Sequence, residues 1–386
     1  MIFTTAVISD IHFGAIRPEI LYDELQSEFL NFINNHYVDM VVICGDFFNS
    51  IIALNSHSAL AAFKFMDELI KICEEKEIKY VRIIEGTLSH DNFQILNFKM
   101  YKNNKKVNFD IITNVSEEYF EKENIRVLYL PEEYIDDVKE YYKPYLDKPK
   151  KYYDFIFGHG MFKETSFIKD EGESEISKAP IWDSKLLVSL SKGPIFFGHI
   201  HTAQVIRKHI YYTGSFSRWV HGQEEDKGFM IFVYDTNSFK YLTEFIKNKK
   251  AKKYETLTLL YNHENDFNAE KIISLSKQIK DENVVDNFRL LIIIEALDRD
   301  ISYDLAYLKE WFTGRKGYKL EIVDKREKVK KEQIEEKVSR LLTEYNFIFD
   351  KNLPLKTKIH KFIKRKYKKE ISEEIIESVL NTGETK

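Results

Sequence analysis

Along the first 235 residues, short unbroken apolar runs alternate with stretches of helical spacing. Ile2 to Ile8, Met40 to Cys44 and Tyr80 to Glu85 have strand length and enough apolar character to be buried on both faces. Between them, Pro18 opens a helix whose Leu21, Leu25, Phe29, Phe32 and Ile33 share one face. A second helix from about His57 to Lys76 turns Leu60, Phe63, Met66, Leu69, Ile70 and Cys73 inward. Strand and helix in turn predict crossover units and a sheet with parallel strands. After Glu85 the pattern becomes strand-rich, with short apolar runs at Ile125 to Leu130, Asp154 to Phe157, Ile195 to Phe197, Ile210 to Tyr212 and Phe229 to Tyr234. Lys163 to Lys178 is polar and reads as a surface loop. The predicted fold is α/β: a two-sheet β-sandwich flanked by helices.

Beyond this point Lys247-Asn248-Lys249-Lys250-Ala251-Lys252-Lys253 reads as a charged linker, with solvation or phosphate contact as its two possible roles. Strand patterns at Glu255 to Tyr261, Phe288 to Ala296 and Tyr318 to Val323 enclose helices near Ala269 to Lys280 and Tyr303 to Thr313, a small α+β unit. From Asp324 onward two charged helices are separated by Asn352-Leu353-Pro354, where the proline breaks the helix. Val329, Ile334, Val338, Leu341 and Leu342 form one apolar stripe. Ile359, Phe362, Ile363 and Tyr367 form another, continued by Ile371, Ile375, Ile376, Val379 and Leu380. Such faces need a surface to bury against, either the protein's own core or a partner. The predicted domains are 1–245, 246–324 and 325–386.

Composition narrows the class only slightly. With 44% hydrophobic and 31% charged residues the chain reads as an ordinary globular protein, and a net charge of −4 confines any polyanion-binding surface to a local patch. Such a patch is Lys358 to Lys369, with seven Lys or Arg residues. Cys44 and Cys73 are too few for a disulfide framework or a zinc cluster, which fits a reducing interior. The first residues lack the features of a signal peptide, and no apolar run approaches the roughly 18 residues of a membrane span. The expectation is a cytoplasmic protein with no membrane partner.

The chemistry lies in five short motifs in fixed order: Asp10-Ile11-His12, Gly45-Asp46, Ser89-His90-Asp91, Gly158-His159 and Gly198-His199-Ile200-His201. Most follow directly on a strand-like run, and strand ends are where an α/β fold gathers distant residues. Carboxylate and imidazole together make the ligand set of a divalent-metal site. Residues two apart in an extended segment project to the same side, so Asp10 and His12 can reach one ion, and so can His199 and His201. Asp46, alone on its turn, can bridge two ions. Two ions roughly 3.5–4 Å apart bind a phosphate between them and activate a water.

The order D-x-H, G-D, G-N-H-D/E, G-H, G-H-x-H resembles the signature of calcineurin-like metallophosphoesterases. Downstream, Tyr212-Thr213-Gly214-Ser215-Phe216-Ser217-Arg218 and Gly222-Gln223-Glu224-Glu225-Asp226-Lys227-Gly228-Phe229 resemble the G-S-x-x-R and G-E-E-x-x-K-G-F segments of SbcD-type exonucleases, the nuclease subunits of Mre-Rad DNA-repair complexes, of which bacteriophages carry shorter versions. The resemblance covers roughly residues 1–235, and the rest agrees in layout alone. It implies a manganese-dependent DNA nuclease, a double-strand exonuclease and single-strand endonuclease, with Mg²⁺ as a weaker substitute. Asp10, His12, Asp46 and His201 would hold the first metal; Asp46, His159 and His199 the second. His90 would protonate the leaving 3′-oxygen or stabilise the transition state, with Asp91 orienting its ring. Residues 246–324 would be a capping domain beside the DNA. The C-terminal helices would dock on the coiled-coil base of an SbcC-type, SMC-like ATPase. A homodimer through helices near the first two motifs is also implied.

One departure stands out. The family's Asn ligand of the second metal aligns with Ser89, whose hydroxyl is a shorter and poorer ligand. Ser89 ligates weakly, or a water fills the position, or Asn92 reaches in; each predicts a weaker second site. Arg218 aligns with a family arginine and contacts DNA phosphate or forms a structural salt bridge. Two other functions fit the five motifs: a small-molecule or phosphoprotein phosphoesterase, and a scaffold subunit with a degenerate centre. The first does not account for the downstream segments, and the near-complete ligand set argues against the second.

Overall fold

The computed structural model describes residues 1–165, 181–262, 267–282, 285–295, 300–326 and 339–381. Its strands are β1 (Ile2–Ile8), β2 (Met40–Cys44), β3 (Tyr80–Ile84), β4 (Asn108–Ile112), β5 (Ser116–Phe120), β6 (Ile125–Leu130), β7 (Phe155–His159), β8 (Met161–Phe162), β9 (Ile181–Trp182), β10 (Ile195–Gly198), β11 (Gln204–Ile206), β12 (Ile210–Tyr212), β13 (Gly228–Asp235), β14 (Tyr241–Lys247), β15 (Tyr254–Tyr261), β16 (Asn287–Ile294) and β17 (Tyr318–Asp324). Helix α1 (Pro18–Glu24) continues through a π-helical segment, Leu25–Leu30, into α2 (Asn31–Asn35). The later helices are α3 (His57–Glu75), α4 (Val138–Leu146), α5 (Ser184–Leu190), α6 (Ala269–Glu282), α7 (Ser302–Phe312), α8 (Leu355–Tyr367) and α9 (Glu373–Asn381).

Two mixed six-stranded sheets form the expected sandwich, in the orders β14-β13-β1-β2-β3-β4 and β11-β12-β10-β7-β6-β5. In the first, β1, β2, β3 and β4 run parallel, and β13 joins β1 antiparallel. In the second, β6, β7, β10 and β12 are parallel. The period-2 alternation of a strand explains the layering. In β1, Phe3 and Val7 belong to the core between the sheets, with Val42, Ile84, Phe155, Phe157 and Phe232. Ala6 and Ile8 belong to a second core against Leu21, Leu25, Phe29, Phe65 and Leu69. A third core of Leu128, Ile156, Phe197, Tyr142 and Leu187 lies on the other side of the second sheet. Burial on both faces is why the central strands read as unbroken apolar runs. Helix α3 begins cleanly because the Ser56 hydroxyl accepts from Ala59 N at 3.1 Å.

The chain divides into two compact units: residues 1–257, 273–289 and 314–319, and residues 258–272, 290–313 and 320–386. Strands β15, β16 and β17 form a separate three-stranded sheet. In the second unit, Leu290, Ile292 and Ile294 are buried, as are Leu308 and Phe312 of α7. Helices α8 and α9 also belong to it and share the Lys356–Glu377 ion pair at 3.0 Å. Leu341, Leu342, Phe349, Leu355, Tyr367 and Ile375 remain exposed, whereas Ile376 is buried. The predicted loop at 163–178 and the stripe positions Val329, Ile334, Val338, Val379 and Leu380 lie wholly or largely outside the residues or side chains described.

The stretch 247–253 is not a solvated linker. Asn248 is 1% exposed; its amide donates to Glu24 Oε2 and Phe216 O, both at 2.9 Å, and its Oδ1 accepts from Lys250 N and Ala251 N. Lys247 ends an edge strand and pairs with Asp226, and Lys250 pairs with Asp23. Lysine content masked one buried asparagine that ties the segment down. Among the described residues no helix is long and apolar enough to cross a membrane.

Candidate metal centre

Strand β1 ends at Ile8, β2 at Cys44, β7 at His159 and β10 at Gly198, so four of the five motifs sit at or directly after the C-terminal ends of strands. The loops after β1 and β2 run side by side, with Asp10 N donating to Gly45 O and His12 N to Asp46 O, each at 3.1 Å. Four of the motif residues have left-handed backbone: Asp10 (φ 49°), His12 (φ 53°), Asp46 (φ 49°) and His199 (φ 94°). Each costs about 1–2 kcal/mol in an L-residue, and such strain collects at functional sites. Gly45 (φ 79°) has no alternative, because a Cβ there would lie 2.2 Å from His159 Nδ1. A Cβ on Gly86 would lie 2.1 Å from Asp46 N.

Two groups of ligand atoms result, each mutually within 4.8 Å: Asp10, His12, Asp46 and His201, and Asp46, His159 and His199. All six residues are buried. Asp46 belongs to both: Oδ2 lies 3.8 Å from His12 Nε2, and Oδ1 lies 3.2 Å from His159 Nε2. His12 Nε2 and His201 Nε2 are 3.1 Å apart, and His201 Nε2 is 3.9 Å from Asp10 Oδ1. Ligand atoms about 2.1 Å from one ion lie roughly 3.0 Å apart in octahedral and 3.4 Å apart in tetrahedral geometry. The spacings fall in and around that range. These buried Asp and His groups can hold a metal ion.

The electrostatics agree. The His159 Nδ1–H donates to Cys44 O at 2.8 Å, so Nε2 faces Asp46. Burial opposes a charged His159, but Asp46 overrides it and holds the imidazole well above its ordinary pKa. Burial also opposes ionisation of Asp46, yet His159, His90 and His12 keep its carboxyl well below the usual range. His12 is driven well below its usual value, by burial first and then by His201, His90 and His159, against the pull of Asp46. One of its buried nitrogens, Nδ1, has no hydrogen-bond partner.

Glu85, at the end of β3, is pushed up to about 7 by burial and by Asp46, against the Phe93 amide that donates to it. Its folded pKa lies above the unfolded value of about 4.3, so the folded state binds more protons in between. The contribution of Glu85 to the stability of the metal-free protein therefore falls as pH rises from about 4.3 to about 7 and does not recover above it. Glu85→Gln, neutral throughout, is expected to stabilise that form at pH 8 by at most about 4 kcal/mol, with a much smaller gain at pH 5. Urea midpoints of both proteins at both pH values check this, and an equal gain at the two pH values would refute it.

The third motif is arranged differently. His90 lies beside the first group, its ring 4.9 Å from that of His12, and its Nδ1–H donates to Asn49 O at 2.6 Å. Asn49, not Asp91, therefore orients the ring. Asp91 is fully buried, and its carboxylate accepts from Phe48 N at 2.9 Å and Gly86 N at 2.8 Å, bracing the loops after β2 and β3. Burial, then Asp46 and Glu85, push its pKa well up. Ser89 is exposed. The hydroxyl that faces the second group is that of Thr87, with Oγ1 3.4 Å from Asp46 Oδ2, 3.4 Å from His159 Nε2 and 3.3 Å from His199 Nδ1.

Sequence reading also misses Glu132, whose Oε2 lies 3.1 Å from His199 Nδ1 and 3.8 Å from His159 Nε2. The available signal was its position directly after β6, the same position the other motifs occupy. Trp219 stacks near the first group, its ring 4.6 Å from His12 and 4.9 Å from His201. The downstream segments form a bracket behind His201. Ser215 N and Lys227 Nζ donate to His201 O at 3.0 and 2.9 Å, and the Gln223 amide reaches His201 Nδ1 at 3.3 Å. Arg218 spends its guanidinium on the carbonyls of Glu225, Ala251 and Lys252. His221 packs its ring on Tyr254.

No family model and no curated protein matches this chain.

Proposed function

We propose that this protein is a manganese-dependent DNA phosphodiesterase of the SbcD type, a double-strand exonuclease and single-strand endonuclease. The observation that carries the reading is Asp46, which offers one carboxylate oxygen to each of two buried ligand groups. Asp10, His12, Asp46 and His201 would hold one divalent ion, and Asp46, His159 and His199 the other. Bound there, such a pair supplies Lewis-acid stabilisation of the phosphate and a nucleophilic water at neutral pH. The chain's own residues do the rest. The Asn49 carbonyl holds His90 Nδ1–H, which leaves Nε2 as the atom that passes a proton to the leaving 3′-oxygen. The bracket of Ser215, Gln223 and Lys227 fixes His201 from behind, and these residues lie in the segments that resemble DNA nucleases rather than other phosphoesterases. The exposed apolar side chains at Phe349 and Leu355 would meet an SbcC-type ATPase.

A nuclease assay with Mn²⁺ tests the reading. His90→Ala is expected to slow cleavage about a hundredfold while DNA binding persists. Phe349→Asp with Leu355→Asp is expected to abolish ATPase capture and spare cleavage. Hydrolysis of p-nitrophenyl phosphates or nucleotides alone would replace DNA by a small substrate. Activity on none of these would leave a scaffold.

A further inference from the structure

Glu132, which the five motifs do not contain, lies against the second ligand group. It directly follows β6 and Pro131, at the strand end that corresponds in the second sheet to those carrying His159 and His199. Its side chain is fully buried. One oxygen, Oε1, accepts from Tyr134 OH at 3.2 Å, which fixes the carboxylate's rotation. The other, Oε2, lies 3.1 Å from His199 Nδ1, 3.8 Å from His159 Nε2 and 3.3 Å from Thr87 Oγ1. These are the separations of atoms that share one ion, as they are in the first group.

Charge makes the same point. The first group has two carboxylates and two imidazoles, whereas the second has two imidazoles and only the shared Asp46. A divalent cation there would have half a share of one anion in a buried place. A second carboxylate is what such a site needs.

We propose that Glu132 Oε2 is a direct ligand of the second metal, with the Thr87 hydroxyl beside it, in place of the amide that the Ser89 alignment leaves missing. The second site is then anionic and tight rather than weakened. This rests on the two-metal reading above.

Calorimetric titration of the metal-free full chain with Mn²⁺, together with electron paramagnetic resonance, tests it. The wild type is expected to bind two ions and show a spin-coupled signal. Glu132→Gln keeps the shape and removes the charge. It is expected to retain one ion at unchanged affinity, which also shows that the fold is intact, to lose the second by more than a hundredfold, and to give the six-line spectrum of an isolated ion. Outer hydrogen-bond partners of metal ligands are worth about 10–100-fold. A variant that still binds two coupled ions with a loss under a hundredfold would therefore overturn the proposal, leaving Glu132 as a positioning residue for His199. A wild type that binds fewer than two ions would instead remove the two-metal reading on which the proposal stands.

Discussion

Asp46→Asn is expected to abolish the manganese-dependent hydrolysis proposed above and to lower metal affinity at both ligand groups at once. Among the described residues, no other candidate ligand belongs to both groups. Asparagine retains the volume and one oxygen, so the backbone amide of Thr87, which donates to Asp46 Oδ1 at 2.6 Å, keeps an acceptor. What disappears is the charge between His12 on one side and His159 on the other. If each ion contributes about 3 kcal/mol to the transition state, losing both slows the reaction on the order of 10⁴-fold. His12→Ala or His159→Ala, each confined to one group, is expected to weaken one ion and leave the other. Calorimetric titration with Mn²⁺ across the three variants checks the pattern. An Asp46→Asn protein that binds one ion as tightly as the wild type would break the bridging assignment.

The same variant bears on protonation. In the metal-free protein Asp46 is what holds His159 above its usual pKa against burial. Without the carboxylate, burial meets less opposition and the imidazole shifts toward its neutral form, which offsets part of the lost negative charge. This compensation is why the fold is expected to survive a substitution that ends metal binding.

What the sequence made legible follows from where each residue sits in the sandwich. The runs at β1, β2, β3, β6, β7, β10, β12 and β13 are all interior to a sheet and covered on both sides, and therefore mostly apolar, with Arg82 of β3 and Arg126 of β6 as interruptions. The unpredicted strands β4, β5, β11 and β14 are the four sheet edges. Asn108, Glu117 and Glu118 face outward or meet charged partners there, and Leu242 on β14 is 79% exposed, so no apolar run marks them. The small two-stranded β8-β9 pair is too short to leave a pattern.

For the centre, position at a strand end and residue type sufficed for Asp10, His12, Asp46, His159, His199 and His201. Alignment by motif misled at the third strand. Counting back from His90 pointed to Ser89, but the turn after Gly86 carries Ser89 outward and places Thr87 over the centre. Asp91 looked like the partner of its neighbour His90, yet Phe48 N and Gly86 N claim its carboxylate. Glu132 lay in an acidic Pro-Glu-Glu run of a kind usually solvated, and only burial at the end of β6 distinguishes it. Neighbours in sequence are poor guides to neighbours in a loop of left-handed residues, such as Asn92 and Phe93.

Arg82→Met is expected to destabilise the sandwich by about 3 kcal/mol, the cost of leaving one partner of a buried ion pair alone. Arg82 lies within β3 with its side chain 1% exposed. Its position alternates with Val81 and Ile83, which face the helices. All five guanidinium N–H groups are used: Nε and Nη2 on the Glu118 carboxylate at 2.9 and 2.6 Å, Nη1 on Asn108 O at 2.6 Å and Val81 O at 2.9 Å, and Nη2 again on Asn108 Oδ1 at 3.2 Å. Because Glu118 is on β5, the pair joins β3, next to the edge of the first sheet, to the edge strand of the second. Tyr129 OH also donates to Glu118 Oε2, at 3.0 Å. Methionine fills the volume of the stem but leaves Glu118 and the Asn108 carbonyl without the donors they now have. Glu118 is 30% exposed on its side chain, so water recovers part of what it loses. For that reason Glu118→Gln, which keeps an acceptor for Arg82, is expected to cost less than Arg82→Met. The double replacement Arg82→Met with Glu118→Leu removes both charges and is expected to recover most of the loss. Urea unfolding of the three variants, with the wild-type slope as a control, ranks them. A double variant no more stable than Arg82→Met would mean that the arginine stabilises through packing on Tyr80 and Phe120 rather than through its pair with Glu118.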